Sequence, residues 1–151
     1  MKTNKTIPLR TEIENKYKWK LEDIYSSEKE YEEAFKNSLQ NIENLSKLKG
    51  TLKNSSDTLL FCLKECDRVS LEIDKIYVYS NMKLHEDSTV SKSQILSNRA
   101  ESLITEYLSK TAFITPEIIE IPEETLKQFI EENEALKVYT HFLENIQREK
   151  K

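Results

Sequence analysis

Between Leu59 and Glu86, apolar residues return every three or four positions: Leu59, Leu63, Cys66, Val69, Ile73, Ile76, Tyr77 and Leu84, with Ser70 and Ser80 in the same stripe. At about 100° per residue these side chains share one face of a helix. Neither proline nor glycine interrupts the run, which at ~1.5 Å per residue predicts a rod of roughly 40 Å. A rod that long cannot cover its own stripe. The remaining segments are therefore expected to pack on it.

Upstream, Ser27 followed by Glu30 has the form of a capping box and opens a helix expected to run to about Lys49. Tyr31, Phe35, Ser38, Ile42 and Leu45 share its inner face, and Gly50, the sole glycine, stands where that helix should stop. Residues 51–56 form a short polar link with Leu52 turned inward, and Ser55 or Ser56 can cap the central helix, which makes an αα-hairpin. Downstream, Asp87-Ser88-Thr89 turns the chain into a third helix over about Val90 to Lys110. Its stripe of Leu96, Ala100, Leu103, Ile104 and Tyr107 is wide enough for two neighbours. Thr115-Pro116-Glu117 reads as a helix start with a threonine cap, and Pro122 ends that helix after Ile118, Ile119 and Ile121. A short helix follows through Leu126, Phe129 and Ile130 to a break at Asn133. A last stripe then runs through Ala135, Leu136, Tyr139, Phe142, Leu143 and Ile146. Residues 1–18, interrupted by Pro8, carry no such rhythm and are expected to form an extended arm; 19–151 form the helical domain. Trp19 with Leu21, Ile24 and Tyr25 reads as the anchor pinning that arm to the bundle.

Composition sharpens the fold class. One glycine and three prolines in 151 residues are too few for a sheet with tight hairpins, so the expectation is all-α: an antiparallel helical bundle built on long helices, with short helices toward the C-terminus. A net charge of −4, with both signs interspersed, argues against a nucleic-acid partner. No segment approaches the ~18 apolar residues of a membrane span, so no membrane is expected, and a cytoplasmic location is the default reading. Cys62 and Cys66, four apart on the central helix, read as plain reduced thiols; a bridge between adjacent turns would constrain little, and a metal would need a second pair of ligands.

Catalytic motifs fail on inspection. His85-Glu86 resembles the start of a zinc-binding helix, but the second histidine would have to stand at position 89, which is Thr89. His141 has no partner in its own pattern, and the Glu28–Glu33 and Glu131-Glu132 clusters read as solvated helix faces. A single glycine cannot build a phosphate loop or a Gly-x-Ser-x-Gly elbow. No catalytic, cofactor-binding or metal-ligating residue is assigned in this chain. Tyr77 is read as core, and Tyr79 as surface or cleft.

Several stretches in order nevertheless resemble the N-terminal region of the oligoendopeptidase F group of thimet-oligopeptidase-like zinc metallopeptidases. They are Trp19-Lys20-Leu21-Glu22-Asp23-Ile24-Tyr25, Ile76-Tyr77-Val78-Tyr79-Ser80 with Glu86-Asp87-Ser88-Thr89 after it, and Arg99-Ala100-Glu101. Ala112-Phe113-Ile114-Thr115-Pro116-Glu117-Ile118 and Leu143-Glu144-Asn145-Ile146-Gln147-Arg148 complete the set. The resemblance implies a helical domain that helps wall a cleft for short peptides, in a parent enzyme whose zinc sits on a His-Glu-x-x-His helix beyond this chain. It implies no peptidase activity for the 151 residues alone and no cofactor within them. The expected partners are the C-terminal catalytic region of the same parent and, in that parent, short peptides. A free-standing adaptor module that binds partner helices is the alternative. Self-association through Tyr139, Phe142, Leu143 and Ile146 is expected if the last stripe is left bare.

Overall fold

The computed structural model describes residue 8 and residues 10–149. Among these the chain is all-α, with six α-helices: α1 Glu28–Ser46, α2 Ser56–Glu86, α3 Ser91–Thr111, α4 Ile114–Glu120, α5 Glu123–Glu132 and α6 Thr140–Arg148. Short 3-10 turns at Arg10–Glu12, Asn15–Tyr17, Leu21–Asp23 and Glu134–Tyr139 join or precede them. No helix among the described residues is long and apolar enough to cross a membrane.

The capping signals operate largely as read. Ser27 Oγ accepts from the Glu30 backbone N–H at 3.2 Å, and the Glu30 carboxylate reaches back to Ser26 N at 2.7 Å rather than to Ser27. Those Ser26 bonds hold the Glu30 carboxyl below its ordinary range. Ser55 caps α2 by accepting from Thr58 N at 3.1 Å. Gly50 takes φ +84°, the left-handed conformation that ends the segment after α1. Asp87 Oδ1 accepts from Thr89 N at 2.9 Å and turns the chain between α2 and α3.

α2 is the spine. Its Leu59, Cys62, Leu63, Val69, Ile73, Ile76, Tyr79 and Ser80 are buried. α1 runs antiparallel to it, with Tyr31 Oη bonded to Ser80 Oγ at 3.0 Å and Asn41 donating to Glu72 at 3.2 Å. α3 returns parallel to α1, and three ion pairs in register stitch the two: Glu28–Lys92, Glu32–Arg99 and Glu43–Lys110. The first core lies among these three helices and the 3-10 turn before them: Leu21, Tyr25, Tyr31, Ile42, Leu45, Val69, Ile73, Ile76, Tyr79 and Leu103. Tyr25, Tyr31 and Tyr79 meet there with ring centroids 5.2–5.6 Å apart. The second core lies under the N-terminal half of α2, where Leu52, Leu59, Cys62 and Leu63 are covered by Ile118, Ile121, Leu126, Leu136, Leu143 and Ile146.

Several sequence expectations shift. Tyr77 is 37% exposed and Tyr79 only 7%, the reverse of their reading; the tyrosine cluster pulls the buried face of α2 toward α1 and leaves Tyr77 on the outer side of the seam with α3. Trp19 is 51% exposed, because the 3-10 turn at Leu21–Asp23 swings Leu21 and Tyr25 inward and leaves the residue before it outside. α4 starts at Ile114, so Thr115 is not its cap, although Pro116 still falls in the first turn where no N–H is missed. Within the arm, residues 10–18 hold two 3-10 turns rather than continuously extended chain, and Arg10 pairs with Glu86 at the far end of α2; residues 1–7 lie outside the described part. Leu143 and Ile146 are buried within the chain itself, so the last stripe is not bare; Ala135 and Phe142 are the members that face outward.

Candidate functional site

No cluster of three or more His, Cys, Asp or Glu side chains among the described residues could hold a metal ion. His85 is exposed at the end of α2, and Thr89 stands where a second ligand would be needed. His141 is exposed on α6, and its Nε2 shares a 3.2 Å bond with Asn145 one turn on. These donors do not fit zinc, and no catalytic step is derived from them.

The thiols on α2 are free; Cys62 is buried and Cys66 half-buried. Hydrogen bonding with Cys66 and burial push the Cys62 thiol up, while hydrogen bonding from Cys62 and Tyr107 outweighs burial and holds Cys66 below the ordinary thiol range. Tyr107 closes the site from α3, donating to the Cys66 carbonyl at 3.3 Å. The pair has no general base beside it and forms part of the second core's edge.

Most carboxylates are committed to structure. Glu32 holds Arg99 through two bonds, at 2.5 and 2.8 Å, and Arg99 lies over the Phe35 ring with 4.3 Å to its centroid. That hydrogen bonding keeps the Glu32 carboxyl below its ordinary value. Glu117 of α4 reaches across to the link before α2, accepting from Gly50 N at 2.5 Å and Leu52 N at 3.4 Å. Gln147 of α6 donates to the Ile118 carbonyl at 2.6 Å, which also accepts from the Ile121 N–H, and to the Ile121 carbonyl at 3.1 Å. The sequence pattern singled out neither role, because both are long-range bonds to backbone groups at helix ends and leave no local spacing.

Several recesses open on the surface, among them two against the long helices. One, of about 660 Å³, lies where α1 ends beside α3 and α4, with Lys49, Lys53 and Lys110 facing Glu117 and Glu120. The other, of about 370 Å³, is floored by Tyr25 and Tyr79 and rimmed by Lys83 and Lys92. Burial pushes the Tyr25 phenol up to about 12, so it stays protonated at neutral pH.

A family described as Oligopeptidase F matches residues 117–151. The oligopeptidase PepF of Bacillus subtilis is 38% identical over 144 residues, covering 95% of this chain and 22% of that protein. The oligoendopeptidase-F of Enterococcus faecium, a solved structure, superposes with TM-score 0.71 at 27% identity over 82% of this chain and 24% of its own. The chain is an N-terminal domain of the oligoendopeptidase F-like peptidases. The group B oligopeptidase PepB of Streptococcus agalactiae is 31% identical over 91% of this chain and 23% of its own length. A putative peptidase of Chlamydophila abortus, at 19% identity and TM-score 0.77, shares the fold. The chain thus spans about a quarter of the length of the relatives it matches, and a free-standing adaptor is not favoured.

Proposed function

We propose that this domain forms part of the wall over a peptide cleft in a longer cytoplasmic zinc metallopeptidase, and that it limits access to short, extended peptides while the remaining chain supplies the metal and the chemistry. The observation that carries the reading is the coverage: a domain matched over nearly its whole length to oligopeptidases, yet amounting to a quarter of each. Its make-up agrees with that role. The helices are braced by long-range bonds such as Glu117 to the backbone of Gly50 and Gln147 to Ile118, as a rigid wall requires.

The test starts from the reading frame. Continuation past codon 151 into a His-Glu-x-x-His segment is expected. The purified longer chain should cleave short unstructured peptides, spare folded proteins and lose activity to a chelator, with zinc restoring it. The 151-residue chain should be inactive with or without zinc. Peptidase activity in the 151-residue chain, or a stop codon directly after it, overturns the reading.

A further inference from the structure

The described chain covers α2 unevenly. Along its N-terminal half the C-terminal layer is tied to two exposed acids on the outer side: Asn133 donates to Asp57 at 2.9 Å, and the Tyr139 hydroxyl donates to Asp67 at 2.5 Å. The α2 members of the second core stop at Cys66. Beyond Asp67 the same outer stripe continues with nothing from that layer bonded to it among the described residues. Leu71 and Val78 stand a heptad apart there, 71% and 46% exposed.

The neighbouring helix continues this bare strip. Ser97 donates to Asn81 at 3.4 Å and marks the seam between α3 and α2. About two turns and three turns farther along the same side of α3 come Ile104, half-buried, and Leu108, 61% exposed. Tyr77, 37% exposed, stands one turn before Asn81 on that side of α2. The opposite surface of the bundle is different. The outer stripe of α1 runs Lys29, Glu33, Lys36, Gln40 and Glu43, all exposed, in the pattern of a helix face that stays in water.

We propose that the strip formed by Leu71, Tyr77, Val78, Ile104 and Leu108 is the seat on which the part of the parent chain following residue 151 docks, through an apolar face of its own. The inference rests on the cleft-wall reading above and gives that wall an inner, attached side and an outer, solvated one. The occupant follows from coverage. In the relatives this fold is 22–24% of a chain, so roughly three times its own length must be accommodated against it. Large aliphatic side chains repeated on one side of the longest helix, beside a charged opposite side, are the surface such a contact uses.

Thiol labelling in the full parent chain tests the proposal. Leu71→Cys and Val78→Cys are compared with Lys36→Cys on the outer stripe of α1, after subtracting the labelling of the unmodified chain. Both sites are exposed in this domain, so the substitutions leave its two cores untouched. Without peptide, the variants at 71 and 78 should label at least about tenfold more slowly than the one at 36. Equal rates overturn the proposal and leave the cleft-wall reading standing. Protection that appears only when a short peptide is added also overturns it, because the strip would then face substrate. A reading frame that stops at residue 151 removes the cleft-wall reading and the docking together, and is seen before any labelling.

Discussion

The two ends of α2 are held by different chemistry. Around its C-terminal half, long helices meet through rings, hydroxyls and ion pairs: Tyr31 to Ser80, Glu32 to Arg99, and Lys75 lying 4.8 Å from the centre of the Tyr25 ring. Around its N-terminal half the core is aliphatic, and helices as short as the seven residues of α4 are fixed by single side chains that satisfy their open ends. A helix of 31 residues with a continuous stripe specifies its buried face locally. A seven-residue helix does not; it exists because Ile118 and Ile121 are buried and its last carbonyls find Gln147.

The largest effects should come from deleting side chains at matched positions in the two cores. Ile76→Ala in the first and Ile118→Ala in the second each remove a fully buried side chain and should cost about 2–5 kcal/mol. Because α2 lines both cores, a single denaturant transition is expected for each variant, followed by Trp19 fluorescence and by helical circular dichroism. Two separated transitions in either variant would show that the halves fold as independent units and break the comparison at its root.

Both halves carry raised phenols that shape the alkaline limb, and Tyr139 against the second core is pushed up to about 12 by burial and by its bond to Asp67. Tyr25 is pushed up to about 12 by burial, and burial also raises Tyr31 and Tyr79 in the same cluster. In the unfolded chain phenols ionise near ~10. Folded-state values above that mean that the stabilisation is complete below about pH 10 and is lost as pH rises through the folded values. The denaturant midpoint should therefore fall between pH 9 and 11.5, and Tyr25→Phe should flatten part of that fall. An unchanged midpoint over this range would contradict the burial of the cluster.

These two halves also explain which parts of the fold were legible in the sequence. The stripes of α1, α2 and α3, the Ser27 and Ser55 caps and the Gly50 stop are local and stand close to their expected places, although α1 ends at Ser46, three residues before the expected Lys49. What sequence spacing could not settle is which flank of a stripe faces the core. Tyr77 and Tyr79 are two apart on one helix, and only the positions of Tyr25 and Tyr31 decide between them. Trp19 misled for a related reason: a large aromatic beside Leu21 looks like the anchor, but the 3-10 turn places Leu21 and Tyr25 inward instead. The bare strip across α2 and α3 was not legible either, since Leu71 and Leu108 belong to no stripe until the helices are packed.

Smaller effects should come from the brackets of the second half. Gln147→Ala removes a donor from the Ile121 carbonyl and from the Ile118 carbonyl, which keeps the Ile121 N–H, and should cost about 1–3 kcal/mol. Faster hydrogen exchange should appear in α4 and α6 and not in α1. Exchange spread evenly over all helices would mean that this glutamine does not fix α4 in particular.

The least costly change should be the ion pair between α1 and α3. Glu32 and Arg99 make two bonds, but their side chains are 43% and 35% exposed, so water and salt screen them. A double-mutant cycle with Glu32→Gln and Arg99→Met should give a coupling under about 1 kcal/mol, smaller again at high salt. Arg99 also lies on the Phe35 ring, and Arg99→Met should therefore cost more by itself than Glu32→Gln. The acid limb has a definite sign. Hydrogen bonding to Arg99 lowers the folded-state value of Glu32, so its contribution is present above the ordinary carboxyl value and disappears as pH falls through the lowered one. A coupling of several kcal/mol, insensitive to salt, would mean that charge rather than the tyrosine and aliphatic packing holds α1 against α3.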